Sequence, residues 1–209
     1  MSIADVTFVT CHPYIRSMGK IASIVSDLCE LPLSDVIGFE QCFTWHTYQK
    51  GDHLLNETES CKYIYFVVSG IVRQCYHAKG KQVTAYFAVP GSFTTSFQSF
   101  VSGTSSKYAL EAVTDVTVLR IGKSQLEAYY HQNPRFLILG KTLAEENYLC
   151  VSERQDMLQI DTAKEKWQWF VQQYDKEHRM QMPLKMVASF LGIEPETLSR
   201  VKKKSVDLT

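Results

Sequence analysis

The sequence predicts an α+β protein with an N-terminal double-stranded β-helix (jelly roll), a long helix and a C-terminal helix-turn-helix. Short β-branched and aromatic runs with glycine turns fill residues 43–121. An apolar stripe then repeats every seven residues from Phe136 to Leu158. Two short amphipathic segments finally meet at Gly192. The predicted units are a jelly roll with N-terminal helices at 1–133, a long helix with a hinge at 134–160, and a helix-turn-helix unit at 161–209.

The composition is that of a folded globular protein. The 209 residues are 45% hydrophobic and 12% aromatic, which excludes wholesale disorder. No window approaches about 18 uncharged apolar residues, so no transmembrane helix is expected. The first residues lack the basic and apolar regions of a secretory signal. We therefore expect a cytoplasmic protein without a membrane partner.

The charges balance over the whole chain but not within it. Lys+Arg and Asp+Glu number 22 each, which excludes a uniformly basic protein that coats a polyanion. Residues 1–160 hold 13 Lys/Arg against 15 Asp/Glu, and residues 161–209 hold 9 against 7. Four cations lie within Arg200–Lys204. This segment is either a solvated terminal charge run or a local patch for a polyanion.

The six cysteines do not form a metal or disulfide framework. The chain contains no C-x-x-C pair, lacks a secretory signal and is long enough to bury a core, so reduced thiols are expected. Cys42 and Cys75 lie among apolar and aromatic residues and are expected to pack as small hydrophobes. Cysteines and histidines show no clustered ligand spacing, so neither a metal nor another cofactor is expected.

The first half of the chain changes from helical to alternating patterns. Residues 14–30 predict an amphipathic helix, and Ser34-Asp35 is expected to cap a second helix over 35–42. Short strands separated by glycine turns then suggest a double-sheet jelly roll. The predicted strands are 43–48, 63–68, 71–76, 83–89, 108–113 and 116–121.

After Gly122 the pattern is helical again. Ser124 is the expected N-cap of a first helix, and Pro134 suits the first turn of a longer one. In the longer helix, apolar residues recur every seven positions in two adjacent columns. Asn147 and Arg154 lie near these columns, so the pattern is that of an imperfect coiled coil. Such a stripe packs on its own barrel or also on a second copy, and we favour a homodimer. The predicted dimer contacts are Phe136, Leu137, Leu143, Ala144, Asn147, Cys150, Val151 and Leu158.

The C-terminal unit begins with a third helical segment. Thr162 is expected to start a helix over 163–174, which makes residues 159–162 the predicted hinge. Further on, one helix ends at Gly192, where a positive φ costs glycine little. Pro195 fits the first turn of the next helix, whose buried side carries Leu198. The spacing is typical of a helix-turn-helix, and equally of a helical corner in a structural subdomain.

The predicted exposed side of the last helix has residue types that can read DNA. Arg200 can bond guanine O6 and N7 with two donors, and Glu196 can accept from cytosine N4. Hydroxyls of the same face reach phosphates or bases, and the lysines neutralise phosphates. The basic cluster favours DNA binding over the structural corner. The predicted DNA-binding residues are Glu196, Thr197, Ser199, Arg200, Lys202, Lys203 and Lys204.

This order of elements resembles the cyclic-AMP receptor protein / fumarate–nitrate regulator (Crp/Fnr) family of bacterial transcription factors over nearly the whole chain. The most specific segment, Leu191–Arg200, is similar to the family's turn and recognition helix. Lys50-Gly51-Asp52 and Tyr63–Val72 are similar to its first barrel strands, and Pro90–Phe93 resembles the entry to its phosphate-binding cassette. The resemblance implies a cyclic-nucleotide-binding-like sensor domain, with double-stranded DNA, a second copy, RNA polymerase and an unidentified small-molecule effector as partners.

The departures from the family's pattern concern the ligand. The resemblance implies a Gly-Glu pair and an Arg-Ser pair in members that bind cyclic nucleotides, where the arginine pairs with the phosphate. Here the corresponding stretches are Thr95-Ser96 and Ser106-Lys107, and lysine lacks arginine's bidentate fork. Cyclic AMP is therefore not expected to bind. The candidate pocket residues are Gly91, Ser92, Thr94, Thr95, Ser96, Ser106 and Lys107.

Two further features of the family are not expected. The N-terminal cysteine cluster of its oxygen-sensing members is absent from this sequence. The chain ends a few residues after the recognition helix, so the β-wing of a winged helix is expected to be truncated.

The sequence thus predicts a homodimeric, sequence-specific DNA-binding transcriptional regulator. A second hypothesis is that the chain is a ligand-sensing module whose helix-turn-helix face contacts another protein. The third hypothesis is an enzyme. The sequence shows no nucleophile with a base and a group that orients it, and no glycine-rich loop that would hold a phosphate, so no catalytic residue is predicted.

Overall fold

The computed structural model describes residues 21–206, in which two four-stranded sheets are flanked by helices. Two helices precede the sheets, and a third interrupts them. The elements of this first part are α1 Ile21–Cys29, α2 Leu33–Glu40, β1 Thr44–Tyr48, β2 His53–Leu55, β3 Tyr63–Ser69, β4 Val72–Ala78, β5 Lys81–Ala88, β6 Phe93–Thr94, α3 Phe97–Ser102, β7 Ala109–Ala112 and β8 Val116–Gly122.

The second part of the described chain is helical. A 3-10 turn at Pro134–Phe136 leads directly into the long helix, so Pro134 does lie at the start of this segment. Thr162 caps the next helix by accepting from the Glu165 amide at 3.2 Å, as the sequence predicts. The elements are α4 Lys123–Gln132, α5 Leu137–Gln159, α6 Ala163–Gln173, α7 Lys176–Gln181, α8 Leu184–Leu191 and α9 Pro195–Val206.

The jelly roll is built entirely from antiparallel pairs. One sheet has the order β1-β8-β3-β6, and the other has the order β2-β7-β4-β5. Val67 faces Val118 in the first sheet, and both side chains are fully buried. Gln74 faces Leu110 in the second. The apolar side chains of the two sheets meet in a common core, which also holds the buried sides of α1 and α2.

Four short elements were not predicted: β2, β6, α3 and α7. Strand β2 has three residues, β6 has two, and α3 has six. Segments of this length are too short to show a periodicity, so pairing with β7 and β3 decides where β2 and β6 lie.

Two predicted caps were wrong. Helix α2 begins at Leu33 after Pro32, not at residue 35 after Ser34-Asp35, and its N-cap makes no side-chain hydrogen bond. Helix α4 begins at Lys123, so Ser124 lies inside its first turn. In both cases the residue before the helix has an extended ψ, so the chain turns straight from an extended segment into the helix without a side-chain cap. Of the helix predicted over 14–30, residues 14–20 lie outside the described residues.

The C-terminal helices pack against one edge of the jelly roll. Phe87 of β5 lies 5.6 Å from the Phe190 ring on α8, and 6.4 Å from the Phe170 ring on α6. Tyr174 completes this aromatic cluster and donates its hydroxyl to the Phe87 carbonyl at 3.3 Å. A second core therefore joins the two units. Among residues 21–206 no helix has the length and apolar character to span a membrane.

Candidate nucleic-acid interface and ligand cavity

The α8–α9 corner is shaped by Gly192. Its φ of +65° lies in the left-handed region, and its amide donates to the Ala188 and Ser189 carbonyls. The Ile193 amide returns to the Ala188 carbonyl at 3.1 Å. These bonds satisfy the carbonyls at the end of α8 and turn the chain sharply. Pro195 then starts α9, as the sequence predicts.

Helix α9 buries one side against α6 and α8. Leu198 is fully buried, as are Ala188 and Leu191 on the facing helix, and Val201 is half-buried. This apolar side fixes how α9 rotates about its axis, because the opposite side must then face solvent.

The outward side of α9 is polar and carries the predicted DNA-binding residues. Thr197 is half-buried, and Arg200 donates to its hydroxyl at 3.4 Å. The Lys202 ammonium lies 5.3 Å from the centre of the Trp167 ring on α6. The structure thus brings the predicted set together on α9, with Lys202 at the edge that borders α6. Its exposed members are Glu196, Ser199, Arg200, Lys202, Lys203 and Lys204.

A cavity of 600 Å³ lies between the jelly roll and α5. Four of the predicted pocket residues line it: Gly91, Ser92, Thr94 and Thr95. Thr95 is held in place because its hydroxyl donates to the Tyr63 carbonyl at 2.9 Å. Aromatic side chains from β4 and β5, from β6, from the start of α3 and from the residue before β7 complete much of the wall.

The other three predicted pocket residues do not line this cavity. Ser96 and Ser106 are buried, and the Ser106 hydroxyl donates to Ser96 at 2.7 Å. Ser106 also accepts from the Tyr108 amide at 3.0 Å, so both serines join the α3 loop to β7. Lys107 is exposed and lies outside the wall. These three residues do not reach the cavity wall, because local resemblance does not show which way a loop side chain turns.

The charged side chains on the cavity wall come from α5. They are Glu146, Glu153 and Arg154, and the barrel strands that line the cavity add no arginine or lysine. Burial lowers the pKa of the Arg154 guanidinium, because the charged form is poorly solvated there. The cavity wall therefore has an excess of carboxylates and no cation from the strands.

Arg154 connects three parts of the chain. Nη1 donates to the Phe190 carbonyl on α8, and Nη2 donates to the Thr84 carbonyl on β5, both at 2.9 Å. Ser189 adds a second link, because its hydroxyl accepts from the Thr84 amide at 3.0 Å and donates to the Gln82 carbonyl at 3.3 Å. Strand β5 is the edge of its sheet, so these side chains satisfy backbone groups that no neighbouring strand pairs.

The sequence predicts only that Arg154 lies near the apolar stripe of the long helix, and it predicts no role for Ser189. An arginine in an amphipathic helix looks like an ordinary surface residue, and no local signal could identify its partners on β5 and α8.

One face of α5 leaves apolar side chains in solvent. Among the predicted dimer contacts, Leu137 is 58% exposed, Val151 50% and Leu158 40%. Ala144 and Cys150 are half-buried, and Asn147 is exposed. Ile138, Tyr148 and Leu149 add further exposed area to the same helix.

Phe136 was wrongly predicted as a dimer contact. It is 2% exposed, and its ring lies 5.0 Å from Tyr129 and 5.3 Å from Phe39 inside its own chain. Leu143 also packs against the jelly-roll core. This column of the stripe faces its own barrel, because the barrel occupies the adjacent side of α5, and only the neighbouring column remains open.

Comparison with known proteins agrees with this architecture. Residues 45–133 match the model of the cyclic nucleotide-binding domain. The fold is similar to that of FixK2 from Bradyrhizobium japonicum, with a TM-score of 0.68 and 25% identity over 78% of this chain and 83% of that one.

Two further solved structures show the same fold at lower identity. A CooA mutant from Carboxydothermus hydrogenoformans has a TM-score of 0.62 and 18% identity over 82% of this chain and 79% of that one. The c-di-GMP-responsive global regulator CLP of Xanthomonas campestris has a TM-score of 0.65 and 16% identity over 84% and 93%. No curated protein sequence matches the chain.

Proposed function

Because this chain belongs, by its cyclic nucleotide-binding domain and its fold, to the Crp/Fnr family, we propose that it is a homodimeric, sequence-specific DNA-binding transcriptional regulator. The observation that carries the proposal is the outward face of α9. It combines Glu196, Arg200 and a run of three lysines on a helix whose other side is anchored by the buried Leu198.

In this proposal α8 and α9 form a helix-turn-helix, and α9 enters the major groove with its N-terminal end first. Glu196 and Arg200 are one helical turn apart, so they reach adjacent base pairs. Arg200 donates to guanine, and Glu196 accepts from cytosine. The lysines that follow lie on phosphates and supply affinity without sequence preference.

The second copy docks along the exposed column of α5. Leu137, Val151 and Leu158 supply apolar area there, and pairing would remove it from water. Two recognition helices related by a twofold axis read half-sites about 34 Å apart, which corresponds to a pseudo-palindromic operator. RNA polymerase is then a further expected partner of the DNA-bound dimer.

The proposal includes a sensor domain that does not bind cyclic AMP. No cation from the strands faces the cavity, and Lys107 lies outside it. A cyclic phosphate placed there would leave water without gaining an arginine from the strands, and the carboxylates of α5 would repel it.

The test is a selection from randomised duplex DNA with the full chain, followed by affinity measurement on the enriched sequence. We expect enrichment of a pseudo-palindrome. Arg200→Ala should relax selection at one base position of each half-site, whereas Lys203→Ala should weaken binding to all sequences and lower the salt slope by about one.

If the full chain enriches no sequence and binds no duplex at low salt, DNA recognition by α9 is wrong. The same face would then have to contact a protein. Addition of cyclic AMP should change neither the selected sequence nor the affinity, and a cyclic-AMP-dependent affinity would contradict the ligand part of the proposal.

A further inference from the structure

We propose that the 600 Å³ cavity binds an uncharged molecule with aromatic rings and one N–H or O–H donor, and that this donor reaches Gln173. The inference deepens the proposed function, because it assigns a ligand class to the sensor domain. Only its last step, the effect on DNA affinity, rests on that function.

The wall of the cavity suits flat rings. Five aromatic side chains line it, from β4, β5, the β6–α3 segment and the start of β7. Two of them, Tyr76 and Tyr108, meet edge to face with their centroids 5.5 Å apart. Such side chains bind aromatic rings by offset stacking and edge contacts. The five are Tyr76, Tyr86, Phe93, Phe97 and Tyr108.

The charges on the wall exclude an anion. Glu146 and Glu153 contribute two carboxylates, and the only cation lining the described cavity is Arg154. The Arg154 guanidinium already donates to two carbonyls and lies 4.4 Å above the Phe190 ring. A phosphate or sulfonate would meet two carboxylates and a single guanidinium that is already bonded to the protein, so its charge would be poorly balanced in a partly buried site.

The donor requirement comes from a recess next to the cavity. This recess has a volume of about 20 Å³ and shares wall residues with the cavity, including Ala85 and Arg154. Gln173 on α6 also lines it. Its Oε1 atom is buried and accepts no hydrogen bond from the described residues.

An unpaired buried acceptor is unfavourable, so the recess favours a group that donates to it. Its volume accommodates one such polar group but not a ring. A ligand whose ring lies among the tyrosines would therefore direct an N–H or O–H toward Gln173.

The position of the recess connects the ligand to the DNA-binding helices. Gln173 and Trp169 belong to α6, Phe190 belongs to α8, and Arg154 bonds to both α8 and β5. A ligand that reaches Gln173 thus contacts the elements that hold α8 on the jelly roll. It biases how α8 and α9 sit, because it binds one arrangement of these elements better than another.

Three probes with closely related ring systems test the ligand class. N-phenyl-1-naphthylamine is uncharged and has one N–H, 1-phenylnaphthalene lacks the donor, and 8-anilinonaphthalene-1-sulfonate adds an anion. Fluorescence titration of the amine and the sulfonate, and displacement of the amine by 1-phenylnaphthalene, measure the three affinities on the full chain. We expect the amine to bind at least tenfold more tightly than the sulfonate. Equal or tighter binding of the sulfonate would overturn the proposal.

Variants locate the binding site. Gln173→Leu should weaken the amine three- to tenfold and leave 1-phenylnaphthalene unchanged. Tyr108→Ala should weaken the binding of both the amine and 1-phenylnaphthalene tenfold or more. If Tyr108→Ala does not fold, Phe97→Ala is measured in its place. The matched control is Tyr148→Ala, because Tyr148 is 71% exposed on α5 and does not line the cavity. If Tyr148→Ala weakens the amine as much as Tyr108→Ala does, the probe binds the surface and the proposal fails.

Measurements of DNA affinity with and without the probe distinguish failure of this inference from failure of the proposed function. With a selected duplex, saturating N-phenyl-1-naphthylamine should change the DNA affinity at least threefold in the unmodified chain but not in Gln173→Leu. An unchanged affinity would refute the link to the DNA-binding helices. Probe binding without any duplex binding would refute the proposed function and leave the ligand class standing. Duplex binding without any probe binding would refute the ligand class alone.

Discussion

The guanidinium of Arg154 donates to the Phe190 carbonyl at 2.9 Å and lies 4.4 Å above the ring of the same residue. One side chain of the long helix thus binds both the backbone and the ring of the residue at which α8 meets the jelly roll. The second Arg154 bond, to the Thr84 carbonyl, extends the link to β5. The arrangement of the C-terminal helices therefore depends on Arg154.

Replacing Arg154 by alanine should loosen this link. We expect the free energy of unfolding to fall by about 1.5–3 kcal/mol, since hydrogen bonds to a charged group are lost and two carbonyls lose their donor. Arg154→Lys should be intermediate, because an ammonium lacks the planar fork. Urea denaturation measures both variants.

The control for Arg154 is Lys141→Ala on the same helix. Lys141 forms an exposed ion pair with Glu145 at 2.7 Å, and such pairs contribute about 0.5 kcal/mol or less. If Arg154→Ala unfolds no more easily than Lys141→Ala, the contacts to Phe190 and Thr84 do not stabilise the arrangement.

Arg200→Ala should reduce affinity for the selected duplex by about 1–3 kcal/mol and lose discrimination at one base position. Arg200 is exposed on α9, so its replacement should not change the melting temperature. Electrophoretic mobility shifts and a melting curve measure both quantities. Lys50→Ala, in the loop after β1, is the charge-matched control and should bind DNA normally.

Val151→Glu should prevent the second copy from docking. Val151 is 50% exposed on the open face of α5, and a carboxylate buried there between two chains would lack a partner. We expect the dimer dissociation constant to rise at least about a hundredfold in sedimentation experiments. Val101→Glu, at a site on α3 that is 58% exposed, is the control. Equal association of the two variants would place the dimer interface elsewhere.

Gly70→Ala should destabilise the jelly roll severely. Gly70 has a φ of +81°, and an added Cβ would lie 2.1 Å from the Asp115 carbonyl oxygen. The backbone of the β3–β4 turn would have to move, in addition to the cost of about 1–2 kcal/mol for a left-handed residue. Gly80 has a similar φ of +73°, but a Cβ added there would have no atom within 4 Å. Gly80→Ala should therefore lower the free energy of unfolding only by the cost of the left-handed backbone, about 1–2 kcal/mol. Thermal melting should separate the two clearly.

Cys75 should react slowly with thiol reagents near neutral pH. Burial raises the pKa of its thiol to about 11, so at pH 8 only about one thiol in a thousand is the reactive thiolate. Since the pKa is raised, its alkylation rate should increase about tenfold per pH unit up to that pKa. Iodoacetamide labelling followed by mass spectrometry measures this. Half-buried Cys150 is the comparison, and equal labelling of the two at pH 8 would contradict the prediction.

Much of the fold could be predicted because its signals are local. The runs that form β3, β4, β5 and β8 contain their own β-branched and aromatic pattern. Gly192 and Pro195 mark the α8–α9 corner through their own backbone preferences, whatever packs around them. The exposed face of α9 follows from the same short segment.

Other features depend on which distant segments meet. The strand pairings of β2 and β6, and the hydrogen bond between Ser96 and Ser106, join residues whose own sequence shows no preference for that contact. The sequence also could not show that the column starting at Phe136 faces the barrel, because a seven-residue repeat does not show which of its two columns is buried.

The order of the units, six of the eight described strands of the jelly roll and the polar face of α9 could be predicted from the sequence alone, because each depends on contiguous residues. Three other features became apparent only in the folded chain: α8 docks on the β5 edge, Arg154 and Ser189 hold it there, and Gln173 lines a recess beside the cavity. Those relationships join positions up to 107 residues apart. They exist because the free edge of β5 has donors and acceptors that need partners when buried, and folding alone determines which side chains supply them.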